Sequence, residues 1–192
     1  LIYAITGKSY FDPGGGRSGI FLSDNYGKTW VNIQDDLISK CQPGVELPEW
    51  RAIATCQNDP EVIYVSYANF RTSEDSLCIG VARSGDVGKT WELVWKDKAN
   101  QPDAGPGPNF KSGWLNERFG PGWGENPFSL GVAPGNADIC YGTDFGRTVK
   151  TTDGGKTWKQ VYTRKKVNMG WISSGLQVTT NYMLAFDPFD ST

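Results

Sequence analysis

The sequence predicts an all-β protein built from a repeated four-stranded unit. Three observations lead to this prediction. Glycine (24) and proline (11) are frequent among the 192 residues, apolar residues form short runs without helical spacing, and one eight-residue stretch occurs three times. Frequent turn residues between short apolar runs are typical of strands joined by tight turns. The chain also has 13% aromatic residues, including eight tryptophans, which is enough for a sizeable core.

The recurring stretch reads SDNYGKTW at 23–30, SGDVGKTW at 84–91 and TTDGGKTW at 151–158. Apolar runs precede and follow each copy. Two further strand-like runs lie upstream, as in RAIATCQNDP followed by VIYVSY, and FSLGVAPGNAD followed by ICYGTD. Each unit thus has four strands, named A to D in chain order, with the eight-residue turn between C and D. Repeats of this kind predict β-propeller blades, which bury their faces against neighbouring blades.

The residue types in this turn have a physical explanation. The opening Ser or Thr hydroxyl and the side chain two places later can bond to the turn backbone. Glycine at the fifth place permits a positive φ angle, and tryptophan at the eighth covers the hairpin. We therefore expect structural roles for the following residues: Ser23, Asn25, Gly27, Trp30, Ser84, Asp86, Gly88, Trp91, Thr151, Asp153, Gly155 and Trp158.

The pattern S/T-x-D-x-G-x-T-W resembles the Asp-box, or BNR, repeat of a β-propeller superfamily. Asp86 and Asp153 fit it, whereas Asn25 takes the aspartate place in the first copy, where we expect the same turn, somewhat weaker. The superfamily includes sialidases, xyloglucan-cleaving glycosidases, polysaccharide lyases, sorting receptors and photosystem assembly factors. The resemblance implies a propeller whose box aspartates are structural and lie away from the active face.

The repeats predict one partial propeller domain over residues 1–192. Its blade strands lie at 51–95 and at 127–162, and a third blade is split between 1–33 and 182–192. Three blades are too few to close a ring, which needs about four to eight. We therefore expect either a piece of a longer ring of about six to eight blades, which we favour, or two short chains that pair into one ring.

Composition excludes several classes of function. The net charge is −2 and basic residues are scattered, so a nucleic-acid partner is not expected. No apolar run approaches the roughly 18 residues of a membrane span. The absence of histidine excludes Ser-His-Asp and Cys-His catalysis and histidine-bound metals. The four cysteines form no CxxC pair and are either buried thiols or disulfides. No metal and no cofactor is predicted.

The long D-to-A and B-to-C connections are expected on one face around the propeller axis. Loops on a rigid scaffold often bind ligands. Tryptophans there could stack on sugar rings, and arginines could bind acidic sugars. The alternative for each tryptophan is an anchor that packs its loop on the blades. The alternative for each arginine is a surface cation or a salt bridge. The predicted substrate-binding residues are Trp50, Arg71, Trp114, Arg118, Trp123, Asn126, Arg147 and Trp171.

Asp144 and Glu125 are the predicted catalytic carboxylates. GTDFGRT predicts a two-residue hairpin flanked by Asp144 and Arg147, and GPGWGENP places Trp123 and Glu125 at the same rim. Glycoside hydrolysis generally uses two carboxylates about 5–10 Å apart. The alternative for Asp144 is a structural carboxylate that caps the hairpin or pairs with Arg147.

The leading functional prediction is an extracellular or periplasmic carbohydrate-active enzyme, most like the glycoside hydrolases of the superfamily. A polysaccharide would lie across the loop face and be cleaved by acid/base chemistry. The alternatives are a non-catalytic module that binds a glycan or a protein, and a polysaccharide lyase. The sequence has no Arg-Ile-Pro segment, which argues against a sialidase in the strict sense.

Overall fold

The computed structural model describes residues 1–7, 18–74, 76–175, 181 and 183–187. Within these ranges the chain is almost entirely β, which confirms the predicted fold class. Its strands and two short helices are, in chain order, β1 Ile2–Thr6, β2 Gly19–Ser23, β3 Val31–Asn32, α1 Asp35–Ser39, β4 Glu49–Thr55, β5 Ile63–Arg71, β6 Leu77–Ser84, β7 Glu92–Lys98, β8 Phe110–Lys111, α2 Trp114–Phe119, β9 Ser129–Ala133, β10 Asn136–Thr143, β11 Thr148–Thr151, β12 Trp158–Gln160, β13 Thr163–Lys166 and β14 Gly170–Ser173.

The strands form successive antiparallel meanders, the arrangement of propeller blades. The first sheet has the order β1-β2-β3, and the second has the order β4-β5-β6-β7. The third sheet runs β9-β10-β11-β12, with β8 added in parallel beside β12. A separate hairpin, β13-β14, follows it. Residues 8–17, 182 and 188–192 of the predicted split blade lie outside the described residues.

The eight-residue turn is closed by its first and third side chains. In the second copy, the Ser84 hydroxyl donates to Asp86 Oδ1 at 2.8 Å and accepts from Gly88 N at 2.8 Å. Asp86 then accepts from Thr90 N at 2.9 Å and from Thr90 Oγ1 at 2.6 Å. The third copy makes the same bonds from Thr151 and Asp153. These hydrogen bonds join residues of the turn to one another, so they close the turn locally.

Asparagine supports the same turn in the first copy. Asn25 Oδ1 accepts from Thr29 N at 3.0 Å, as the aspartate does. Asn25 Nδ2 donates to Thr29 Oγ1 at 2.7 Å, so the direction of this second bond is reversed. Asparagine is accommodated here because the threonine hydroxyl can either donate or accept.

Each turn tryptophan of the second and third sheets packs on the sheet before it. Trp91 Nε1 donates to the Ile33 carbonyl at 2.8 Å, and Trp158 Nε1 donates to the Val94 carbonyl at 3.0 Å. Both indoles are almost fully buried, at 4% and 1% exposure. They belong to two apolar clusters, one mainly between the first and second sheets and one mainly between the second and third. These inter-sheet clusters are the core of the protein.

The four cysteines, left open by the sequence, are all buried free thiols. Burial raises the pKa of Cys41 to about 11 and raises the pKa of Cys140 further still. They act as small apolar side chains in the clusters between sheets. In the part of the chain that the structure describes, no helix has the length and apolarity to cross a membrane.

Replacing Asp86 by Ala should lower the free energy of unfolding by about 1 kcal/mol at pH 7, because the turn loses the acceptor of several donors. Asp86→Asn should cost less, since Asn25 shows that an amide fits the same turn. Urea unfolding of the two variants and the wild type measures both differences. An equal loss in the two variants would contradict this account.

The stability of the wild type and that of Asp86→Asn should depend differently on pH. The Thr90 hydroxyl, and then the Thr90 backbone N–H, lower the pKa of Asp86 from 3.8 to about 2. A carboxyl with a lowered folded-state pKa stabilises the fold above its unfolded pKa, and this contribution disappears as the pH falls from about 4 to about 2. The stability advantage of wild type over Asp86→Asn should therefore shrink between pH 5 and pH 2.5, as measured by urea unfolding at each pH.

Candidate functional site

The candidate site is centred on the 121–126 segment, which connects α2 to β9. This segment separates two open clefts of about 250 and about 380 Å³. The first cleft is also lined by side chains from the second sheet and its loops, among them Arg51, Asn69 and Asp97. The second cleft is also lined by the 144–146 hairpin tip. The site therefore lies where the second and third sheets meet.

A buried arginine holds this part of the protein together. Arg147 Nε lies 2.6 Å from Asp144 Oδ2, and Arg147 Nη1 lies 2.9 Å from Asp97 Oδ2. The guanidinium also lies over the rings of Trp95 and Phe110, at 5.2 and 5.0 Å from their centroids. Burial alone would lower the pKa of Arg147, but the two carboxylates outweigh it and raise that pKa. Arg147 is thus a fixed cation that joins the end of β7 to the 144–147 hairpin.

Asp144 is held on both of its carboxylate oxygens. Oδ1 accepts from the backbone N–H groups of Gly146 and Arg147, at 2.9 and 2.6 Å. Oδ2 accepts from Arg147 Nε at 2.6 Å and from Glu125 N at 3.2 Å. The residue is 1% exposed. This is the geometry of the structural alternative, in which Asp144 closes the predicted hairpin and pairs with Arg147.

Glu125 differs from Asp144 in that the hydrogen bonds described for it are made by its backbone. Its N–H bonds to Asp144, and its carbonyl accepts from Arg147 Nη2 at 3.3 Å. The residue itself is exposed and lines both clefts. The neighbouring Gly124 lies so close to the guanidinium that a Cβ there would clash with it. The ion-paired cluster thus fixes the main chain and leaves the Glu125 carboxylate beside the clefts.

An aromatic surface adjoins the second cleft. Trp123, at 47% exposure, stacks at a tilt on Phe119 with 5.3 Å between ring centroids. Trp114 also contacts Phe119, edge-on with 5.6 Å between ring centroids, and the Arg118 guanidinium lies 5.9 Å from the centroid of the same ring. Three predicted residues, Trp114, Arg118 and Trp123, are therefore brought together through Phe119, which the sequence analysis did not select.

Asn126 contributes a buried polar group to the first cleft. It is 6% exposed, and within the described ranges its Nδ2 group has no hydrogen-bond partner. A buried amide without a partner is costly, so such groups are often completed by a ligand or by water. Asn126 thus brings an unpaired buried donor to the lining of the first cleft.

The other predicted residues lie away from the clefts. Trp50 is 3% exposed in the core, where its Nε1 donates to Gln34 Oε1 at 2.9 Å, so it has no access to a ligand. Arg71 ends β5 and is half-buried. Trp171 lies on the β13-β14 hairpin, with Lys165 Nζ 5.5 Å from its ring centroid. These three do not join the group around the 121–126 segment.

Asp97 and Asn69 are site residues that the sequence analysis missed. Asp97 lies in β7, where it is 4% exposed, and its Oδ1 accepts from Gly107 N at 2.9 Å. Asp97 lies between Lys96 and Lys98 in the sequence, so the local pattern did not indicate that its carboxylate would be buried against a distant arginine. Asn69 gave no signal either, because its positive φ of 55° becomes visible only in the structure. Among the described residues, no group of three potential ligand side chains could hold a metal ion.

Comparison with known proteins places the fold among β-propellers. No family model and no curated protein matches the chain. Among solved structures it is similar to the GH74 xyloglucanase from Xanthomonas campestris, with 15% identity and a TM-score of 0.51. Similarity extends to a GH74 enzyme from Niastella koreensis (17% identity, TM-score 0.42) and to an ancestral GH74 enzyme (16%, 0.42).

These similarities cover most of this chain and little of the other proteins. The matched share of this chain is 89%, 79% and 74%, in the same order. The share of the other chain is 24%, 19% and 16%. The chain therefore spans about a quarter of the length of the Xanthomonas enzyme, and at 15% identity the likeness concerns the fold.

Replacing Arg147 by Met should lower the free energy of unfolding by about 3–5 kcal/mol, because two buried carboxylates lose their shared cation. Arg51→Met is the matched control, since Arg51 is exposed and pairs with Glu49 at the surface. It should cost less than about 1 kcal/mol. Urea unfolding of both variants tests this, and a loss for Arg147→Met as small as that of the control would contradict it.

Proposed function

We propose that this chain is part of a carbohydrate-active β-propeller of the glycoside hydrolase type, and that the clefts beside the 121–126 segment bind a glycan. The observation that carries the proposal is the exposed Glu125 carboxylate between two open clefts, next to the exposed ring of Trp123. Ligand sites typically combine aromatic surface with a few well-placed polar groups. The turn hydrogen bonds support membership of the Asp-box superfamily.

In this proposal Glu125 is the carboxylate that reaches the substrate. Its main chain is fixed on both sides by Asp144 and Arg147, which restricts where the side chain can point. Hydrolysis would use it as the general acid or base at the glycosidic oxygen or at water. Trp123 would hold a sugar ring, and Asn126 and Arg51 would bond to hydroxyl groups in the first cleft.

A glycoside hydrolase generally uses two carboxylates, and Glu125 would be one of them. Asp144 and Asp97 are both buried against Arg147, so each would have to leave an ion pair to contact a substrate. We propose that Asp144 positions Glu125 and that the second carboxylate comes from another part of a complete ring. The pairing of Asp144 with Glu125 as catalytic residues stays a prediction.

A non-catalytic glycan-binding module is the second candidate function. The observation that favours it is that Asp144 and Asp97 are both buried in ion pairs with Arg147. Among the described residues that line the clefts, this leaves Glu125 as the accessible carboxylate. Both functions involve a polysaccharide, so we propose an extracellular or periplasmic location for either. Xyloglucan is the first polysaccharide to test, because the Xanthomonas enzyme with this fold is a xyloglucanase.

Trp123→Ala should weaken polysaccharide binding about tenfold, because the largest exposed ring beside the clefts is removed. Trp171→Ala is the matched control, since Trp171 lies on the β13-β14 hairpin, and it should change the affinity less than about twofold. Affinity electrophoresis in gels containing xyloglucan, and then other polysaccharides, measures both. Equal affinities of the two variants would place the glycan elsewhere.

Glu125→Gln should reduce the release of reducing sugar by at least about 100-fold and leave polysaccharide binding almost unchanged, since the amide cannot transfer the proton. Glu117→Gln is the matched control, because Glu117 is exposed and its carboxylate pairs with Lys165. These assays use a protein that contains the complete ring, in which binding by the wild type without any sugar release would reject the hydrolase and leave the binding module. Hydrolysis that is unaffected in Glu125→Gln would reject the assignment of Glu125.

A further inference from the structure

An exposed phenylalanine lies at the tip of the β10-β11 hairpin, beside the second cleft. Phe145 is 50% exposed and lines this cleft together with Trp123, which is 47% exposed. Tight hairpin tips favour glycine, asparagine and aspartate, so the turn itself does not require an aromatic residue here. Exposed apolar surface beside a cleft is typical of ligand-binding grooves. The position of Phe145 therefore points to a contact with a ligand.

The two aromatic rings of the second cleft come from different segments and are supported separately. Trp123 belongs to the 121–126 segment and packs on Phe119. Phe145 packs edge-on against Phe128, with 4.3 Å between the ring centroids. Each ring thus has a neighbour that supports it and keeps a further part of its surface open to solvent. Both rings are therefore held at the cleft before any ligand arrives.

The rest of the cleft lining is rich in glycine. Gly122, Gly124 and Gly146 all line the cleft. A Cβ atom on Gly146 would lie 2.7 Å from Leu115 Cδ1 and 2.9 Å from Trp123 Nε1. A side chain at this position would force the indole to move. Glycine therefore keeps the Trp123 ring in place and leaves the cleft open to a volume of about 380 Å³.

The exposed Glu125 carboxylate lines the same cleft as the two rings. The C–H groups of a pyranose form apolar faces, which pack well on aromatic rings. Its hydroxyl groups project from the ring edge, where a carboxylate can accept hydrogen bonds from them. Two aromatic rings and one carboxylate around a small cleft thus match the chemistry of a single sugar unit.

We propose that the second cleft is a subsite for one pyranose unit, and that Phe145 is a substrate-binding residue of this subsite. The sugar ring packs on both Trp123 and Phe145, and its edge lies beside the Glu125 carboxylate. This inference rests on the proposed function, to which it adds a binding residue and the size of the unit that is bound. Phe145 then determines how firmly a sugar is held next to Glu125.

The experiment measures affinity electrophoresis of a protein that contains the complete ring, with xyloglucan as the first probe and then the polysaccharide that the wild type binds best. Phe145→Ala should weaken binding about tenfold, because one of the two rings is lost. Phe145→Tyr keeps the ring and should remain within about twofold of the wild type. Trp171→Ala is again the matched control, since Trp171 lies on the β13-β14 hairpin. Urea unfolding of each variant checks that the fold is intact.

The double variant Trp123→Ala/Phe145→Ala tests whether both rings hold the same sugar. Residues that share one ligand unit are not independent, so the combined loss should be about 10- to 30-fold. A loss near the product of the two single losses, about 100-fold, would place the rings at different sugar units and overturn the single subsite.

The single variants separate this inference from the proposed function. Weaker binding in Trp123→Ala without a loss in Phe145→Ala would overturn the inference and leave the proposed function intact. A loss in Phe145→Tyr as large as that in Phe145→Ala would also overturn it, because the aromatic ring is then not what the sugar contacts. Binding that neither Trp123→Ala nor Phe145→Ala weakens would reject both the subsite and the proposed glycan site.

Discussion

The rest of the structure depends on the contacts that Trp91 and Trp158 make with the sheet before their own. A blade has two faces to bury, and it can bury them only against its neighbours. Trp91 and Trp158 fill these junctions and place their indole N–H groups on backbone carbonyls. A buried donor without a partner is costly, so this bond fixes how one sheet lies on the next. The distance between successive sheets, and hence between their loops, follows from it.

The candidate site depends on this packing at one further point. Asp97 belongs to the second sheet, while Asp144 and Arg147 lie on the β10-β11 hairpin of the third, so the ion pair between Asp97 and Arg147 forms only when the two sheets are in place. The cluster of Arg147, Asp144 and Asp97 is buried from solvent. Asp144 and Arg147 also bond to the backbone of Glu125 and fix its position. The side chains proposed to bind a ligand therefore lie on loops, and the contact between the second and third sheets sets their positions.

Local patterns were enough to predict much of this molecule. The turns and the 144–147 hairpin close through residues within a few positions of each other, so their bonds could be anticipated from Ser84, Asp86 and Asp144. The long loops could not be resolved in this way. Trp50 and Trp123 look alike in the sequence, yet one is in the core and the other is exposed. Their difference arises from contacts with residues distant in sequence.

The sequence by itself determined the all-β class and the repeated turn, because these follow from short-range hydrogen bonding and strand periodicity. Only the tertiary structure decided that Asp144 is locked in an ion pair, that Asp97 completes that pair, and that Glu125 remains exposed beside the clefts. Burial and charge pairing depend on which sheets meet, and a linear pattern of residues does not contain that information.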